Sequence, residues 1–139
     1  MIAQELTTQL NAMMSQDDFP MVSEQLVETW EAQGVGPEAV EPVLRFMEAN
    51  PSVTIGMPGA LVHFVERFYH NGYEEALVES IARRPTAHTI WMLNRLINGT
   101  KSTEVRSTYI LELEKSEANP LADASARERI NHFLDLLRV

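Results

Sequence analysis

His63, Glu66 and His70 are the residues whose types and spacing come nearest to chemistry, since two imidazoles and a carboxylate are zinc donors. If residues 58–71 form one helix, these three share a face, with Tyr69 beside them. The histidines stand seven residues apart, whereas helical ligand pairs normally stand three or four apart. They therefore read as a polar strip on a half-exposed helix, and no metal or other cofactor is expected. His88 and His132 have no acid at chelating spacing. Glu112, Glu114 and Glu117 are close in sequence, but Glu112 and Glu114 point to different sides of a helix, so no acid/base pair stands out. The chain has no glycine-flanked serine elbow, no phosphate-cradling glycine loop and no dinucleotide fingerprint. With no cysteine there is no thiol nucleophile, thiolate zinc site or disulfide framework. The expectation is a protein that is not an enzyme and works by binding.

Charge suggests where. The formal net charge of −9 is concentrated near the start, where residues 1–50 hold nine acids against Arg45 alone. Nucleic-acid binding needs cations that displace counterions, so this part of the chain argues against it. An acidic surface favours a basic protein partner and fast, salt-sensitive association. Asp17, Asp18, Glu24, Glu28 and Glu31 are the candidate partner-binding residues, with the face of His63, Glu66 and His70 as second choice.

The elements that position these residues read as helices throughout. Ile2, Leu6, Leu10, Met13 and Met14 define a first helix over 2–15. Asp17-Asp18 caps a second, with Pro20 in its first turn, Val22, Leu26, Val27 and Trp30 inward, and Gly34 as its stop. In the third, Pro42 implies either a kink or a short turn followed by a helix from near Glu41. Residues 52–57 read as a loop. A fourth helix opens at Pro58-Gly59 and stops at Asn71-Gly72, and a fifth spans 73–83.

The sixth helix starts at Pro85 and is apolar on several sides, which marks it as a buried central support. Within it Trp91 and Arg95 are four apart and should stack, as His88 and Trp91 might also do by spacing alone. Arg95 is expected to bind carbonyls at neighbouring helix ends, and Asn94 and Asn98 to bridge packed backbones or cap the turn. Ser102 caps a seventh helix with Val105, Tyr109, Ile110 and Leu113 inward. Ser125 and Glu128 have capping-box spacing at the start of the eighth, whose apolar stripe is Ile130, Phe133, Leu134 and Leu137. The fold expected is all-α, one domain over 1–139, with about eight helices packed as antiparallel hairpins in an irregular HEAT-like or orthogonal stack. Uneven spacing of the helix starts shows no repeat period.

Pro58-Gly59-Ala60-Leu61-Val62-His63-Phe64-Val65-Glu66, then Arg84-Pro85-Thr86 and Thr89-Ile90-Trp91-Met92-Leu93-Asn94-Arg95, resembles small all-helical immunity proteins of bacterial polymorphic toxin systems. The resemblance covers roughly residues 57–115. It implies a cytoplasmic protein that binds one cognate toxin and blocks it without performing a reaction. An early acid in place of a basic start, and no apolar run of membrane-spanning length, agree with that compartment. The alternative is a helical scaffold or adaptor without a toxin partner.

Overall fold

The computed structural model describes residues 2–15, 18–52 and 59–138. Among them are eight α-helices and no strand, so the fold is all-α. They are α1 Ala3–Ala12, α2 Phe19–Ala32, α3 Val40–Ala49, α4 Gly59–Glu66, α5 Tyr73–Arg83, α6 Ala87–Gly99, α7 Thr103–Ser116 and α8 Ala124–Leu137. Single 3-10 turns at Met13–Ser15 and Pro37–Ala39 follow α1 and precede α3. The loop expected at 52–57 lies almost wholly outside the described residues. The chain clusters into two compact units, residues 1–76 and 77–139, with the boundary inside α5.

In the first unit α1 packs on α3, and α2 on α4. The most deeply set helix there is α3, with Val40, Pro42, Val43, Leu44, Phe46, Met47 and Glu48 all buried. Its proline is accommodated by the second of the two expected arrangements. The 3-10 turn makes Val40 the first α-helical residue, so Pro42 falls within the first turn, where amides have no intrahelical acceptor to lose. Trp30 is fully buried, stands 5.5 Å from the Phe64 ring, and donates its indole N–H to Gln9 Oε1 at 2.8 Å. That bond satisfies the polar end of the largest buried side chain, which would otherwise be costly to bury. Gly34, at φ 72, takes the left-handed turn that ends α2, and Val35 N–H closes it on Trp30 O at 2.9 Å.

In the second unit α6 packs on both α7 and α8. Thr89, Ile90, Met92, Leu93, Leu96 and Ile97 of α6 are buried, against an apolar set that includes Tyr109, Leu113, Ile130, Phe133 and Leu134. The central role expected of this helix therefore holds within its unit. Its start is built by Thr86 and Thr89, each donating its backbone N–H to the other's hydroxyl at 3.1 Å. Both threonines are fully buried, so this reciprocal cap satisfies amides that water does not reach.

Two details differ from expectation. Val105 shares the stripe of Tyr109 and Leu113 but is 39% exposed, because the whole first half of α7, 103–108, stands in solvent and burial begins at Tyr109. At α8 the N-cap is Asp123, which accepts Ala126 N–H at 2.9 Å, and Ser125 is already inside the helix. A carboxylate two residues upstream takes the role that the Ser125–Glu128 spacing suggested.

Candidate partner-binding face

The acidic strip is created by the way α2 is seated. Asp18 has φ 54, a left-handed conformation that aspartate tolerates better than most residues, and its carboxylate accepts Met21 N–H at 3.4 Å. Phe19 stacks on Phe46 of α3, with ring centroids 6.0 Å apart and planes within 3°. Ser23, Val27 and Trp30 are then turned into the core, while Val22 and Leu26, expected inward, are only half-buried. Glu24, Glu28 and Glu31 follow at steps of four and three residues and are all exposed along one side of the helix. Asp18 is exposed at its start, and Met21, one turn before Glu24, is 51% exposed. Asp17 lies outside the described residues.

The second candidate group is rearranged. His63 and His70 do not share a helix, because α4 ends at Glu66. The backbone then tightens into successive i→i+3 bonds, Arg67 N–H to Phe64 O, Phe68 N–H to Val65 O and Tyr69 N–H to Glu66 O. His70 sits beyond them at φ 66, and its amide donates to Glu74 Oε1 at 2.8 Å. The Glu74 carboxylate thus braces the turn into α5 from the first turn of that helix, where negative charge is favoured. Sequence reasoning passed over Glu74, although an acid four residues after a turn residue and just inside a helix start is a capping signal.

His63 Nδ1 lies 3.5 Å from Glu66 Oε1, and His70 Nδ1 lies 3.7 Å from Glu74 Oε2. Each histidine is therefore matched with its own carboxylate rather than converging with the other. Among the described residues no group of three His, Asp or Glu side chains is placed to hold a metal ion. One contact does join the two candidate groups. Arg67, on the turn after α4, pairs with Glu31 at 3.5 Å and lies 5.7 Å from the centre of the Phe64 ring. Glu31 is thus tethered within the unit, whereas Glu24 and Glu28 form no ion pair among the described residues.

In the second unit the Arg95 guanidinium lies 5.1 Å from the centre of the Trp91 ring, as their spacing predicts, and both residues are half-buried. Asn94 and Asn98 correct the expectation made for them. Neither side chain hydrogen-bonds within the chain among the described residues, and Thr100 N–H closes the helix end directly on Leu96 O. Arg127 performs the bridging that was expected of the α6 polar groups. It donates from Nε to Ala122 O at 3.1 Å, from Nη1 to Glu117 O at 3.2 Å and from Nη2 to Asn119 O at 3.0 Å. Asn119 in turn donates to Ala82 O at 3.0 Å and accepts Leu121 N–H at 2.9 Å.

No protein-family model matches the chain, and neither curated proteins nor solved structures yield a match. Among the described residues no helix is long and apolar enough to cross a membrane.

Proposed function

We propose that this chain is an immunity protein that neutralises a cognate bacterial toxin by binding a basic surface of it through the acidic strip of α2. The observation that carries this reading is the exposure of Glu24, Glu28 and Glu31 along one side of a helix that contains no Lys or Arg. The first cation in the chain is Arg45, so little positive charge near α2 offsets the strip. Such a surface draws a basic partner from a distance and orients it before contact. Met21 adds an exposed, deformable apolar group beside the acids, the type of side chain that fills irregular gaps at interfaces.

Inhibition needs no catalytic group under this reading. It needs preorganised helices, which the stacked Phe19 and Phe46 and the buried Trp30 provide beneath the strip. Glu24→Lys with Glu28→Lys is the direct test, because neither carboxylate holds the fold together. Association with the toxin domain encoded next to this chain should slow by about tenfold or more at low salt, and its salt dependence should flatten. Unchanged association kinetics in that variant would move the interface away from α2.

A further inference from the structure

We infer that the solvent-facing side of α6 is a docking strip for an extended, acidic peptide segment, held by the amides of Asn94 and Asn98 and by the stacked Trp91 and Arg95. This surface belongs to the second unit and does not rest on the toxin reading. Successive helical positions divide α6 cleanly. Ala87, His88, Trp91, Asn94 and Arg95 are half-buried and Asn98 is exposed on one side, while Thr89, Ile90, Met92, Leu93, Leu96 and Ile97 are buried on the other.

The two asparagines carry the argument. Asn is a poor helix former compared with Ala, so two of them weaken α6. Neither recovers this through a side-chain hydrogen bond among the described residues. By contrast Asn50 and Asn119 both use their amides on backbone carbonyls. Each free amide presents a donor and an acceptor, the complement of a peptide group. Positions four apart on a helix rise by about 6 Å, close to the ~6.6 Å between alternate residues of an extended chain. Asn94 and Asn98 therefore match two same-side peptide groups of one strand, a spacing that a docked helix does not offer.

Charge selects the sign of the occupant. Residues 87–99 contain no acid in a chain of net charge −9, and their solvent-facing side carries Arg95 and His88. A carboxylate on the peptide meets the Arg95 guanidinium, whose fork suits it. The Trp91 ring, already covered on one side by that guanidinium, supplies a flat apolar wall for the neighbouring side chain.

The test pans a displayed library of random linear peptides on the full chain and measures binding by the fluorescence of Trp91. Trp30 is fully buried and provides a constant background. Enriched peptides should be acidic and non-helical, shift the emission of Trp91 to the blue, and bind Asn94→Ala/Asn98→Ala at least about tenfold more weakly. The same double variant should melt no lower than the parent chain. Absence of enriched peptides, enrichment of basic or helical ones, or equal binding to the double variant would each overturn the proposal. So would a lowered melting temperature, since that would show the amides to be spent within the fold.

Discussion

Arg95 lies over the ring of Trp91, one helical turn away, with its guanidinium carbon 5.1 Å from the ring centre. Both residues are half-buried, so the pair sits at the boundary of the second unit's core. A cation–π contact in such a position contributes about 0.5–1 kcal/mol. Arg95→Ala should lower stability by about that amount in a denaturant melt, and leave affinity for a partner bound through α2 unchanged. A larger loss of that affinity than of stability would assign Arg95 to the interface.

The cap of α8 separates two neighbouring residues by their effects. Asp123→Ala removes the acceptor for Ala126 N–H and should cost about 1 kcal/mol. Ser125→Ala, at an exposed position already inside the helix, should stay within about 0.5 kcal/mol. Thermal unfolding of the two single variants checks the order.

Arg127 holds the corner between α7 and α8 by donating to three carbonyls, those of Glu117, Asn119 and Ala122. The side chain is exposed, so water competes for these bonds and their worth is less than in a core. Arg127→Ala should cost about 1–2 kcal/mol. Arg127→Lys should recover little, because an ammonium does not reproduce the planar fork. Faster amide hydrogen exchange at Leu121 and Ala122 in both variants would report the loosened corner.

Glu38 gives the stability a pH dependence of known sign. The backbone N–H of Gly36 donates to its carboxylate at 2.9 Å, and its own amide also faces it, holding its pKa below the ordinary glutamate value. Because the folded value is the lower one, the unfolded chain binds the extra proton in the window between the two. The contribution is therefore complete above the ordinary value and is lost as pH falls through the folded one. Glu38→Gln should be less stable than the parent at neutral pH, and the gap should close in acid. A gap that persists or widens on acidification would contradict this.

Most of the helices were legible because apolar spacing and punctuation by Pro, Gly and Asn act locally. Pro20 in the first turn of α2, the left-handed Gly34, the Ser102 cap and the fully buried Trp30 all follow from such signals. What the sequence did not show depended on competition between local signals or on distant partners. Asn71-Gly72 marks the start of α5 well, but α4 had already given way to tighter turns after Glu66, which separates His70 from His63. Asp123 won the α8 cap over Ser125 because it precedes it and accepts the same kind of bond. The Glu31–Arg67 contact spans residues on different helical segments, so no spacing rule anticipates it. The candidate strip at Glu24, Glu28 and Glu31 was readable as helical periodicity, whereas the free amides of Asn94 and Asn98 emerge only when their possible partners are mapped in space.

The central claim is tested most directly by growth of cells that express the toxin domain encoded beside this chain, with and without the chain. Co-expression of the parent chain should restore growth, and the folded Glu24→Lys/Glu28→Lys variant should restore it poorly. Failure of the parent chain to protect against that domain would contradict the immunity reading, and full protection by the charge-reversed variant would contradict the role of α2.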